Sequence, residues 1–312
     1  MNTALVLGGN GKLGSHLAQA LAGAGVQVRV FDRFSRPSIF DSDDRVEIIT
    51  GDFFDEEAVK RALTGQDAVF HCLWATTPSS LDIDIAQDSE LNLVPSVRML
   101  QNAVDAGVSR AYFMSSGGAV YDPAYPVPYA ESSPLRPISP YGVVKVATEG
   151  YFDYFEDRYG LDSTIFRIAN LFGFPLNKPT QRGLVSVALQ RIKAGLPVIR
   201  FGDGSMERDY IHVEDTARLI AQVAAAGHNE DVYNLGSGVG HKVNDVLHII
   251  RTVTGVDFDV EERPVPSSFP KSAVLDVSRF EAEFGAPELT TIAAGVGTMW
   301  ERLNAPAVAT QR

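Results

Sequence analysis

Apolar residues follow two alternating rhythms along this chain, and the alternation predicts its architecture. Residues 3–7 (TALVL) are an unbroken apolar run, as expected of a strand buried on both faces. Leucines at 13, 17 and 21 then fall four apart within residues 12–24, which places them on one face of a helix. Gly25 follows, where a left-handed residue is expected to stop that helix. Residues 26–31 give the next strand. The succession continues with strands at 46–50, 67–73, 110–114 and 161–169, and helices over 55–63, 87–106 and 141–159. Strands alternating with helices at this spacing predict an α/β fold, a Rossmann-type doubly wound parallel sheet. Residues 74–84 and the proline-rich 121–140 have no period and read as loops. Beyond residue 170 the alternation loosens. Helices over 184–194, 214–226 and 243–254 and short strands at 198–200 and 232–235 predict a smaller, mixed C-terminal subdomain.

The first strand–helix junction reads Gly8-Gly9-Asn10-Gly11-Lys12-Leu13-Gly14. Its spacing, Gly8-x-x-Gly11-x-x-Gly14, differs from the commoner Gly-x-Gly-x-x-Gly. The physical task is similar, because glycines let the backbone approach a pyrophosphate seated at a helix N-terminus. A glycine pattern alone is weak, but strand, turn, helix and second strand are all present, and the second strand ends on Asp32. Asp32 is placed to accept hydrogen bonds from an adenosine ribose. Its charge repels a 2′-phosphate and so selects NAD over NADP, a preference that the neighbouring Arg33 tempers. Asp52 either bonds an adenine amino group or begins the helix after it.

Tyr141 and Lys145 stand four apart, on one face of the helix over 141–159. A phenol titrates near ~10 and is a poor base at neutral pH, but an adjacent ammonium favours the phenolate. As a lone pair they would be an ordinary solvated helix face. The dinucleotide turn upstream gives them a chemical reading.

Composition narrows the field. The chain has 312 residues, and a hydrophobic fraction of 45% with 21% charged is ordinary for a globular protein. No apolar run approaches the ~20 residues that cross a bilayer, and the N-terminal run reads as a strand, not a leader. A net charge of −12 argues against nucleic acid as a partner, while leaving room for an anionic small molecule. Cys72, the single cysteine, excludes an intramolecular disulfide and reads as a buried small residue. The histidines lack metal-ligand spacing, so no metal is expected. These features predict a soluble, cytoplasmic protein.

With these residues in place, the chain resembles the NAD-dependent epimerase/dehydratase family of extended short-chain dehydrogenase/reductases. The likeness rests on GGNGKLG at 8–14, Asp32, GDFFD at 51–55, SSGGAVY at 115–121 and SPYGVVK at 139–145. FRIANLFG at 166–173, GDGSMERDYIHVEDTA at 202–217 and YNLGSG at 233–238 extend it. The resemblance implies an NAD-binding part over 1–170, to which 209–236 return, and a substrate-binding subdomain over 171–312. It implies that Gly8, Gly11, Lys12, Leu13, Gly14, Asp32, Asp52, Phe53, Tyr141 and Lys145 meet the cofactor. Tyr141 would take a proton from a sugar hydroxyl, Lys145 would hold the nicotinamide ribose, and Asn170 and Arg208 would touch a nucleotide-sugar substrate. For Arg208 the alternative is a structural ion pair with Asp209 or Asp215. Homodimerisation through the helices over 87–106 and 141–159 is a family expectation. Val94, Val97, Leu100, Tyr151 and Tyr154 could equally pack inside one chain.

Two positions depart from the family pattern. A serine or threonine usually lies four residues before the place of Tyr121; here that is Gly117, and Ser116 or else Thr76 or Thr77 must bond the reacting oxygen. The Arg-Pro-x-Asp segment that grips a diphosphate is altered, and leaves Arg263 or Lys271 as substitutes. Gly118 and Ala119 stand where dehydratases carry acids, and cannot move a proton, so water elimination is not expected. What remains is a UDP-sugar 4-epimerase, with a 4-keto-6-deoxy-sugar reductase and a non-catalytic dinucleotide sensor as alternatives.

Overall fold

The computed structural model describes residues 1–35, 40, 45–76, 85–174 and 183–305. The larger part is built from β1 (Thr3–Leu7), α1 (Lys12–Gly23), β2 (Gln27–Asp32), β3 (Val46–Thr50), α2 (Glu56–Leu63) and β4 (Ala68–His71). It continues through α3 (Ile85–Asp88), α4 (Val94–Asp105), β5 (Arg110–Ser116), α5 (Pro140–Tyr159) and β6 (Asp162–Ile168). Next come β7 (Asn170–Phe172), α6 (Leu184–Lys193), β8 (Val198–Phe201), β9 (Glu207–His212), α7 (Val213–Ala226) and β10 (Val232–Leu235). The chain closes with β11 (Gly240–Lys242), α8 (Val243–Thr254), β12 (Val260–Arg263), β13 (Ser272–Ala273), α9 (Ser278–Phe284) and α10 (Ile292–Asn304).

Seven parallel strands form the main sheet in the order β3-β2-β1-β4-β5-β6-β10. Strand order reverses at β1, so the loops after β1 and β4 open a crevice at the carboxyl edge, where such sheets bind ligands. Two cores cover the two faces. Leu17 and Leu21 of α1 pack with Ala217, Ile220 and Ala221 of α7 on one side. Met99 and Leu100 of α4 join Phe152 and Phe155 of α5 on the other. Leu100 is therefore an interior residue of the single chain, whereas Val94 and Tyr154 stay exposed.

The helix expected over 87–106 is interrupted. A π-helical turn, Ser89–Leu93, joins α3 to α4. Asn92 within it accepts from Ala75 N–H at 2.8 Å and donates to Thr76 Oγ1 and to Asp88, and so ties down the loop that leaves β4. Such one-turn expansions re-aim a side chain without ending a helix.

Around β9 a second, smaller sheet gathers β7, β11 and β13, and β8 pairs with β12. A third core, including Val185, Leu189, Val246 and Val296, fills the space between these strands and α6, α8 and α10. Among the described residues no helix is long and apolar enough to cross a membrane.

Candidate functional site

The glycine turn folds back on itself so closely that side chains are excluded. Gly8 has φ +80, and its carbonyl accepts from Gly11 N–H at 2.8 Å. A Cβ on Gly11 would lie 2.7 Å from that carbonyl oxygen, and one on Gly14 only 2.3 Å from it. Gly11 is the N-cap of α1, and no acidic residue stands in the helix's first turn. The first turn of α1 thus brings no carboxylate of its own to the amide end, which favours an anion there. Lys12 opens the helix, with Nζ 4.6 Å from the centre of the Phe174 ring. Leu13 is buried in the core, so only its backbone faces the turn. Asp32, at the end of β2, accepts from Asn10 N–H at 3.1 Å and fixes the turn to the strand. These residues fit a dinucleotide: bare backbone for the pyrophosphate and a carboxylate for a ribose.

Asp52 is exposed, and its Oδ1 accepts from Phe54 N–H at 3.0 Å. It does not begin the helix. That work belongs to Asp55, whose carboxylate accepts from Ala58 N–H at the start of α2. Phe53 packs with its ring 5.3 Å from that of His71.

Tyr141 and Lys145 occupy the first turns of α5. Ser139 caps the helix by accepting from Gly142 N–H, and Pro140 supplies the preset φ of a first helical residue. A Cβ at Gly142 would sit 2.3 Å from Ala119 O, so this glycine lets the turn after β5 rest against the Tyr141 end of the helix. Lys145 is 3% exposed. Its Nζ donates to Met114 O at 2.6 Å and lies 5.8 Å from the Tyr141 ring centre, 3.5 Å from that of Trp74 and 4.5 Å from that of Phe113. Burial pulls its ammonium down to about 7, against the opposing pull of the Glu149 and Asp88 carboxylates. Burial, reinforced by Lys145, likewise takes His71 down to about 3, so that imidazole is neutral. Cys72 is half-buried, and desolvation pushes its thiol up to about 12. It carries no thiolate at neutral pH.

Ser116 ends β5 half-buried, and its carbonyl accepts from Ala119 and Val120 N–H as the turn closes. Gly117 has a steric cause: a Cβ there would lie 2.6 Å from Leu275 Cδ1. Of the two threonine alternatives to Ser116, Thr76 is buried and committed to Asp88 and Asn92. Thr77 lies outside the described residues.

Sequence reasoning gave no role to Glu149 and Arg167. Lys145 and Glu149 are both buried on α5, and Glu149 pairs with Arg167 of β6 at 2.8 Å while accepting from Ser115 Oγ. Arg167 also donates to Tyr121 OH at 3.1 Å, and Tyr121 donates to Asn234 Oδ1 at 2.7 Å. The signal was the four-residue continuation from Tyr141 through Lys145 to Glu149.

Asn170 and Arg208 lie on neighbouring strands of the smaller sheet. Asn170 Nδ2 donates to Asp209 O at 3.0 Å. Arg208 forms no ion pair with Asp209 or Asp215. Its guanidinium donates to the carbonyls of Glu207 and Pro270, at 2.7 Å each, and burial lowers its basicity. Asp209 is occupied by Ser237, Gly238 and Leu275, and Asp215 by Arg218 and Thr290. A half-buried guanidinium held by neutral carbonyls keeps its charge for an anion. Arg263 is instead paired with Glu261 at 2.7 Å.

The sequence matches the NAD dependent epimerase/dehydratase family over residues 4–236. It is 28% identical over 305 residues to the UDP-glucose 4-epimerase of Mycolicibacterium smegmatis, covering 94% of this chain and 95% of the relative. Among solved structures it is similar to the UDP-glucose 4-epimerase of Thermotoga maritima with UDP-glucose (30% identity, TM-score 0.88, 96% of this chain and 98% of that one). It is also similar to the Thermus thermophilus UDP-glucose 4-epimerase in complex with NAD (29% identity, TM-score 0.88, 97% and 100%). A glycine turn shaped for a dinucleotide, a tyrosine–lysine pair at the carboxyl edge of the sheet and a match over most of the length agree: this chain belongs to the NAD-dependent epimerase/dehydratase family.

Proposed function

We propose that the chain is an NAD-dependent nucleotide-sugar epimerase that inverts C4 of a UDP-hexose through a transient 4-keto sugar. The observation that carries the reading is the Lys145 ammonium, buried 5.8 Å from the Tyr141 ring, on the sheet edge that also bears the glycine turn. Relatives that handle UDP-glucose and NAD support it. Bound NAD supplies a hydride acceptor and, on the return step, the donor.

Tyr141, as phenolate, takes the proton from the C4 hydroxyl and returns it after the ketone has presented its other face. Lys145 favours that phenolate and holds the nicotinamide ribose. Ser116 bonds the reacting oxygen. Gly8, Gly11 and Gly14, with the Lys12–Leu13 opening of α1, carry the pyrophosphate. Asp32 takes the adenosine ribose, and Asp52 and Phe53 the adenine end. Asn170 and Arg208 hold the substrate, Arg208 through its diphosphate. In this reading residues 1–170 and 209–236 form the cofactor half and the rest of 171–312 the sugar half. The enzyme works in the cytoplasm as a homodimer.

Purified protein given UDP-galactose, with no added reductant, is expected to yield UDP-glucose. Tyr141→Phe should lower turnover by about 10²–10⁴-fold while NAD binding persists. Turnover that survives Tyr141→Phe would refute the mechanism. Conversion only with added NADPH, and only of a keto sugar, would establish a reductase instead.

A further inference from the structure

Trp74 touches the proposed proton-transfer pair, yet neither the pair nor the glycine turn accounts for it. Its indole ring lies with its centre 3.5 Å from Lys145 Nζ, and Phe113 closes a second side at 4.5 Å. It also stands edge-on to the Tyr141 ring, with centres 6.2 Å apart. The loop that carries it is anchored just beyond: Ala75 N–H donates to Asn92 and Thr76 Oγ1 to Asp88, each at 2.8 Å. Indole N–H groups usually find an acceptor when buried. The Trp74 Nε1 is buried and has no hydrogen-bond partner among the described residues. The face of the ring is what meets the Lys145 ammonium.

The charges around Lys145 leave that face a task. On α5, Glu149 is committed to Arg167 and Ser115, and Tyr141 is the group to be activated. On β4 and its loop, His71 is neutral and the Cys72 thiol stays protonated. On α3, Asp88 accepts from the neutral Thr76 and Asn92, so that it, like Glu149, draws on Lys145 by its charge alone and makes no contact with the ammonium. Among the described residues the ammonium donates to the Met114 carbonyl and to no carboxylate. We propose that Trp74 is a positioning residue, whose electron-rich face holds Lys145 charged beside Tyr141 in the place of a carboxylate partner. The proposal rests on the reading of Tyr141 and Lys145 as the proton-transfer pair. Burial pulls Lys145 down to about 7, and a cation on an aromatic face is drawn the opposite way.

The test keeps the shape of the side chain and removes its electron density. Tryptophans bearing one to four ring fluorines are incorporated at position 74 of the full chain. Lys145 Nζ is then titrated by NMR in ¹⁵N-lysine protein, assigned with Lys145→Met. The alkaline limb of kcat/KM is measured alongside. The Lys145 midpoint is expected to fall stepwise with fluorination, by about half to one pH unit in all, and the limb to follow it. Trp74→Phe should give a smaller fall than Trp74→Leu. A midpoint that stays constant across the fluorinated series overturns the proposal, whatever the leucine variant does to folding. A midpoint that moves while the limb stays still retains the contact and overturns the proton-transfer pair beneath it.

Discussion

A side chain at position 117 has nowhere to go, because Leu275, from the far end of the sequence, already fills its volume. Leu275 N–H also approaches Asp209 Oδ2 at 3.4 Å, and Tyr129 bridges to Leu275. The turn after β5 is thus clamped to the strand that carries Arg208. Gly117→Ser is expected to destabilise the protein by about 1–3 kcal/mol through overpacking. The same substitution should cost much less in a Leu275→Ala background, which bears its own cavity cost; urea unfolding of both single variants and the double checks it, and an equal cost of Gly117→Ser in the two backgrounds would remove Leu275 as the cause. The glycines of residues 8–14 were legible in the sequence because their constraint is local: the backbone must turn within seven residues. The constraint on Gly117 was not, because its cause lies more than a hundred residues away. Arg208 shows the same limit. An ion pair with its sequence neighbour Asp209 stands as an alternative in the sequence, and only the fold removes it: alternation along β9 and the pull of Ser237 turn that carboxylate elsewhere.

Along α5, Tyr141, Lys145 and Glu149 repeat every four residues, and the last two are buried. The spacing could be read without a structure. That Glu149 is an interior charge could not, because its partner Arg167 sits on β6 and only the fold brings them together. The pair joins β5, α5, β6 and, through Tyr121 and Asn234, β10. Removing one member leaves the other charged and alone in a buried place. Glu149→Leu should therefore cost about 3–5 kcal/mol, and adding Arg167→Met should restore most of it. Thermal and denaturant unfolding of the single and double variants decides this; a double variant no better than the single would show that the network works by something other than charge balance. The π-helical turn was also hidden, since hydrophobic period does not register one added residue whose purpose is to aim Asn92.

Across the whole molecule, the seven-stranded sheet and its helices followed from hydrophobic rhythm, while the looser C-terminal part was anticipated only as mixed, because its strands are too short to carry a period. One face of α5 bears Val143, Tyr151 and Tyr154, of which Val143 is 53% and Tyr154 50% exposed, and Val94 on α4 is exposed as well. An apolar stripe of this kind on two adjacent helices is suited to a second copy. Light scattering after gel filtration should give about twice the 33.8 kDa chain mass, and Val143→Glu with Tyr154→Glu should halve it. A wild-type chain that elutes at its own mass would sink the dimer.

The last strand of the main sheet, β10, is threaded in only after the smaller sheet has begun with β7 and β9. While the ribosome makes the stretch between Ile168 and Val232, the edge of β6 waits unpaired, for several seconds at ~5–20 residues per second. That edge includes Ile165, Phe166 and Ile168, an adhesive surface for another nascent chain. Slow translation across these codons would prolong the exposure, and holdase chaperones that cover extended apolar segments would have their main opportunity there.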